Sequence, residues 1–252
     1  MKETIIGIMA AMPEEIEGVV NKIENPIVST IGGRVYTAGK ISNKKIVAVF
    51  SRWGKVAAAS TVTTLIEKFE VDRIIFTGIA GAIHEDLKVG DVVVASNCVF
   101  HDMDTRPLHD QYVVPLLNKK YFELSYSNDD VEKLQAQFSN NRLKEVLEEQ
   151  WINYFLLNNV KVVVRTIASG DQFINSDEVR TNLKSNLPEV ACVEMEGAAV
   201  AQVCYEHAIP CMVVRTISDT ANHSAANDFE PFAKHVASNY SVAIIASILS
   251  DC

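Results

Sequence analysis

Short apolar runs alternate with stretches of helical period along almost this whole chain, and that alternation limits the fold more than any other feature. Thr4 to Ala11, Arg73 to Thr77, Asp91 to Ala95, Lys161 to Ala168 and Cys211 to Ile217 read as strands. Val35 to Ala38 and Lys45 to Phe50 read as two strands of a meander turned at Ser42-Asn43. Pro13 suits the first turn of a helix running to about Ile23. In Lys55 to Phe69 the residues Val56, Ala59, Thr63, Ile66 and Phe69 recur at helical spacing, and Glu194 to His207 and Phe229 to Leu249 complete the helices. Strands alternating with helices predict an α/β fold, with one central mixed, twisted sheet covered by helices on both faces. The 252 residues show no linker, low-complexity tract or repeat, so a single domain over 1–252 is expected.

Residues 106–159 break the pattern. Pro107 to Tyr126 is polar and aromatic without period, whereas Val131, Leu134 and Phe138, then Leu143, Val146, Leu147 and Trp151, fall at helical spacing. Asn140-Asn141 is expected to separate the two helical pieces. The segment reads as an insertion over one end of the sheet, serving as an interface or a lid.

The chain is 48% hydrophobic and 22% charged, with a net charge of −9. No basic stripe is visible, which argues against a general nucleic-acid surface. Val242 to Leu249 is too short to span a bilayer, and the run from Ile5 to Met12 is broken by Gly7 and followed by acids, a poor signal peptide. Five cysteines (Cys98, Cys192, Cys204, Cys211 and Cys252) lie scattered without a paired motif, as reduced thiols do, and a cytoplasmic address is expected.

The chemistry-bearing residues collect at strand ends. No glycine-rich dinucleotide fingerprint follows the first strand, and Gly54-Lys55 lacks the flanks of a phosphate-binding loop. His101-Asp102-Met103-Asp104 matches no strong metal-ligand spacing, so no metal and no cofactor is expected. Gly78-Ile79-Ala80-Gly81 reads as a small-residue turn, either tight packing or room for a ligand against the backbone. Ala11-Met12-Pro13-Glu14-Glu15 places acids in the first turn of a helix, where they suit the helix dipole or a ligand equally well. Val193-Glu194-Met195-Glu196-Gly197 repeats that geometry, and a carboxylate accepting two hydrogen bonds suits vicinal hydroxyls. Ser169-Gly170-Asp171-Gln172-Phe173-Ile174-Asn175 presents an aromatic on a loop, for packing or for stacking on a flat base. Val213 to Asp219 ends an apolar strand in a carboxylate beside the Ser218 hydroxyl, at the end where open α/β sheets bind ligands. An acid there needs surroundings that keep it protonated near neutrality.

Together, Ala-Met-Pro-Glu-Glu, Ser-Gly-Asp-Gln-Phe-Ile, Val-Glu-Met-Glu-Gly-Ala and Arg-Thr-Ile-Ser-Asp resemble the signature segments of the 5′-methylthioadenosine/S-adenosylhomocysteine nucleosidases, in the purine nucleoside phosphorylase/uridine phosphorylase-like superfamily. The resemblance runs from residue 3 to about 105 and from 160 to 250. It implies hydrolysis of the N-glycosidic bond of a 5′-substituted adenosine, in nucleoside catabolism and methionine salvage, by a homodimer. It further implies that Glu15 activates water and that Asp219, aided by Ser218, protonates purine N7. Glu196 would grip the ribose 2′- and 3′-hydroxyls, with Met195 packing on the sugar. Phe173 would stack on adenine, the Ile174 backbone would bond its edge, and Phe229 would close over the ligand.

Departures from the family pattern cluster at the 5′ side. Thr105-Arg106-Pro107-Leu108-His109-Asp110 stands where the family shows a Phe-Gly-Tyr stretch. Trp53 replaces a smaller aliphatic, and Ile79 stands where Ser is common; with Met12 these residues are expected to line the site. Two alternatives stay open: a phosphate-using phosphorylase of the same superfamily, and a non-catalytic nucleoside-binding protein.

Overall fold

A computed structural model describes residues 3–139, 142–222 and 225–250. Asn140-Asn141 and Cys252 lie outside the described residues. Among the described residues eleven strands, numbered β1 to β11 in chain order, form one connected sheet in the order β2-β3-β4-β1-β5-β11-β6-β10-β9-β7-β8. β1 (Ile5–Ala10) lies parallel between β4 (Lys44–Phe50) and β5 (Arg73–Phe76), and β5 lies parallel to β11 (Cys211–Asp219). The mixed α/β sheet expected from the alternation is present.

One end of the sheet closes on itself. β11 pairs with β6 (Ile79–Ala82) and also with β7 (Val92–Phe100), while β10 (Val190–Glu194) and β9 (Val162–Ser169) complete the ring between them. β5 and β6 run in line along β11, interrupted at Thr77-Gly78. The small-residue segment expected as a turn is therefore a strand break followed by a short strand. Gly78 is required there by close approach, since a Cβ would sit 2.8 Å from Glu15 Oε1.

Helices cover both faces. α1 (Pro13–Val20) packs on α8 (Ser238–Leu249) over one face, and α2 (Lys55–Phe69) packs on α6 (Gly197–Glu206) over the other. Strand alternation feeds both cores: on β1, Ile6, Ile8 and Ala10 join the first and Met9 the second. α2 has the expected bounds but buries Ala58, Thr61, Val62 and Leu65, whereas Val56 is 81% exposed. The apolar spacing picked the neighbouring, half-buried face.

Other differences have local causes. β2 (Glu24–Ile31) and β3 (Arg34–Ile41) form an edge hairpin, and β2 escapes notice because Ile27 and Val28 are exposed there, leaving no inward alternation. Glu194 closes β10 rather than opening α6. The last helix is α7 (Ala225–Phe232) joined to α8 through a π-helical turn, Ala233–Ala237. Between 106 and 159, β8 (Tyr121–Glu123) extends the sheet beside β7, and α3 (Asn128–Ser139) sends Val131, Leu134 and Phe138 into the first core against α8. The second helical pattern resolves into a 3-10 turn, Arg142–Glu145, and α4 (Glu149–Tyr154). α5 (Asp177–Asn186) follows the loop after β9.

Candidate active site

The ends of β1, β6, β10 and β11, the loop after β9 and the starts of α1 and α2 line a half-open cavity, of the concave, mostly apolar kind that binds small molecules. Glu15, Asp219, Ser218 and Glu196 line it, as do Met12, Ile79, Met195, Phe173, Phe229 and Trp53. Ile174 borders an adjoining recess with Phe173, Met195 and Asp219. Sequence segments as far apart as Ala11 and Phe229 thus meet at one place.

Glu15 sits in the first turn of α1 and is 2% exposed. Its Oε2 accepts the backbone N–H groups of Ala11 (2.8 Å) and Met12 (2.9 Å), and Oε1 accepts that of Ile79 (3.0 Å). Burial raises its pKa, against the opposing pull of the Arg215 charge and of those three donors. The result is a rigidly aimed carboxyl of enhanced basicity.

Asp219 is 2% exposed at the end of β11. Oδ2 accepts the Ser218 hydroxyl at 2.8 Å and Oδ1 accepts the Ala221 N–H at 2.8 Å. Burial raises its pKa, whereas the Ala221 and Ser218 bonds lower it. Low local dielectric, rather than the neighbouring hydroxyl, therefore favours the protonated acid. Ser218 fixes the direction of the carboxyl.

Glu196 follows β10 and accepts the Gly54 N–H, at the start of α2, on Oε1 at 2.8 Å. Burial, and next the negative charge of Glu194, push its pKa up to about 8. Donors such as sugar hydroxyls favour its charged form and oppose that rise.

Behind these groups lies a pair that the sequence did not single out. Arg215, 1% exposed, donates from Nη2 (2.7 Å) and Nε (3.2 Å) to Glu194 Oε2. Its Nη1 donates to the carbonyls of Phe76 and Val214, both at 3.1 Å, and its guanidinium stacks 4.1 Å from the Phe76 ring centre. Glu194 also accepts from Ser169 Oγ and from the Gly197 N–H. A buried guanidinium inside the run Cys211 to Asp219 was the available signal, since such a charge demands a partner.

The remaining wall is apolar. Phe229 stands between Phe173 (ring centres 5.5 Å) and Trp53 (6.4 Å), both edge-on. Phe173 and Trp53 are 45% and 59% exposed, so this aromatic side faces the opening. A wider groove containing Arg52 and Lys234 continues past Met12, Trp53 and Phe229. Arg52 Nη2 donates to the Gly33 carbonyl at 2.7 Å. Among the described residues no Lys or Arg lines the main cavity, and no group of three or more His, Cys, Asp or Glu is arranged to hold a metal ion.

Comparison with known proteins places this geometry in context. The profile of the phosphorylase superfamily matches residues 5–249. The 5′-methylthioadenosine/S-adenosylhomocysteine nucleosidase of Shewanella pealeana is 33% identical, over 96% of this chain and 97% of its own length. That of Staphylococcus saprophyticus is 34% identical, over 92% and 94%. The Colwellia psychrerythraea nucleosidase, solved in complex with adenine, superposes with a TM-score of 0.85 at 30% identity, over 98% of this chain and 95% of that one. A futalosine hydrolase mutant from Helicobacter pylori superposes at 0.79 with 33% identity, over 97% and 98%.

Proposed function

The chain belongs to the phosphorylase superfamily, in its branch of 5′-methylthioadenosine/S-adenosylhomocysteine nucleosidases, and we propose that it hydrolyses the N-glycosidic bond of 5′-substituted adenosines. One observation carries the hydrolytic reading: the main cavity is lined by four carboxyl groups (Glu15, Glu194, Glu196 and Asp219) and, among the described residues, by no cation. Phosphate as a nucleophile needs cations or convergent backbone donors at the attacked face. The buried Arg215 spends its N–H groups on Glu194 and two carbonyls. Arg52 belongs to the outer groove instead.

In the proposed reaction Glu15 takes a proton from water as the water oxygen bonds to C1′. The C1′–N9 bond breaks, its electron pair passes into the purine, and Asp219 gives N7 a proton. Adenine and the 5′-substituted ribose leave, with one water consumed. Glu196 receives the ribose hydroxyls, Met195 packs on the sugar, Phe173 and the Ile174 backbone hold the base, and Phe229 closes over it. Ile79 and Met12 complete the inner wall, and Trp53 stands toward the 5′ substituent. A homodimer in the cytoplasm is part of the same reading, supported by the exposed Leu108 and Leu116 and by the buried thiols of Cys98, Cys192, Cys204 and Cys211.

The test is product analysis with and without phosphate. Free 5′-substituted ribose at equal rates in both buffers, and at least about a hundredfold loss in Glu15→Gln, is expected. A ribose 1-phosphate product, or full activity in Glu15→Gln, overturns the assignment.

A further inference from the structure

The His101-Asp102 segment and Lys55 have no part in the chemistry above, yet they meet beside it. Lys55 opens α2, and its Nζ lies 2.5 Å from Asp102 Oδ2 and 3.7 Å from Asp171 Oδ2. Asp102 Oδ2 also accepts the Asp171 N–H at 3.0 Å, and Asp171 Oδ1 accepts the Lys55 N–H at 2.8 Å. The three side chains therefore form a closed knot joining three strand ends: those of β4, β7 and β9.

Two segments leaving the knot lead to the cavity. Gly54, next to Lys55, donates its N–H to Glu196. Two residues beyond Asp171 stands Phe173, on a segment of no regular structure between β9 and α5. Gly170 lets that segment lie flat against His101, because a Cβ there would sit 2.4 Å from the imidazole ring. Lys55 is only 24% exposed and Asp102 18%, so solvent screens their contact incompletely.

We propose that Lys55 is a positioning residue: by binding Asp102 and Asp171 it holds the Phe173 loop and the Glu196 partner Gly54 in one register, so that base and sugar are gripped together. The inference rests on the nucleosidase reading of the site. It requires that base binding and ribose binding respond to a group touching neither.

A double-mutant cycle tests it. Adenine affinity, KM and kcat are measured for the wild type, Lys55→Met, Lys55→Arg, Phe173→Ala and Lys55→Met/Phe173→Ala, each variant being confirmed as folded by its melting temperature. Loss of hydrogen bonds to a charged group corresponds to roughly tenfold or more, so Lys55→Met is expected to raise KM and the adenine Kd by about that factor, with kcat changed far less. Lys55→Arg should recover most of it, and the double variant should lose less than the product of the single losses. Multiplicative losses, or unchanged KM and Kd in Lys55→Met, overturn the positioning role. Wild-type turnover and the effect of Phe173→Ala alone report separately on the nucleosidase reading. Should Lys55→Met fail to fold, Asp171→Asn replaces it in the cycle with the same expected and overturning results.

Discussion

At the scale of single residues the site pairs a base and an acid whose environments raise both pKa values by burial, while their hydrogen bonds fix direction. Asp219→Asn keeps the shape of the side chain but removes the proton. Turnover is expected to fall at least about a hundredfold, the usual contribution of a general acid, while adenine affinity measured by calorimetry stays within a few-fold. Near-normal turnover would remove Asp219 from the mechanism. That Glu15, Glu196 and Asp219 belong to one cavity was legible because each ends or follows a strand in a short local motif. Arg215 was not. A charge within an apolar run resembles a strand edge until the opposing Glu194 is seen.

At the scale of elements, the Glu194–Arg215 pair ties β10 to β11, with Ser169 of β9 bonded to the same carboxylate. Arg215→Met leaves that carboxylate buried without its counter-ion, and breaking such a pair costs about 3–5 kcal/mol. Combining Arg215→Met with Glu194→Gln removes both charges and should restore much of the loss. Urea denaturation of the two variants measures the difference; equal stability of both would show that the pair adds nothing to the β10–β11 junction. The elements themselves were legible to different degrees. α2 was found with its bounds, yet its buried face was misjudged, because Val56 is apolar and still exposed. β2 was missed, since an edge strand with Ile27 and Val28 exposed carries no alternation.

At the scale of the whole molecule, the clustered acids link stability to pH. Glu196 titrates near 4.5 when unperturbed and at about 8 in the fold, so the folded state holds its proton more tightly. That contribution is complete below about pH 4.5 and is lost as pH rises through about 8. Glu15 and Asp219 shift in the same direction and reinforce the loss. Denaturant unfolding at a series of pH values should show stability falling across this window, and Glu196→Gln should flatten the fall. A slope unchanged in that variant would assign the linkage elsewhere. Hydrogen bonds from a bound riboside favour the charged carboxylate, so ligand should stabilise the protein most at the alkaline side.

The sequence by itself determined the α/β alternation, the strand ends that carry chemistry and the four motifs that resemble one family, because periodicity and short motifs are local properties of the chain. Only the tertiary structure decided which carboxyls have raised pKa values, since desolvation depends on neighbours from distant segments. It alone also brought Arg215 to Glu194, Lys55 to Asp102 and Asp171, and β11 to both β6 and β7. Strand pairing and ion pairing across more than twenty residues follow from how the sheet closes, and no local pattern records that closure.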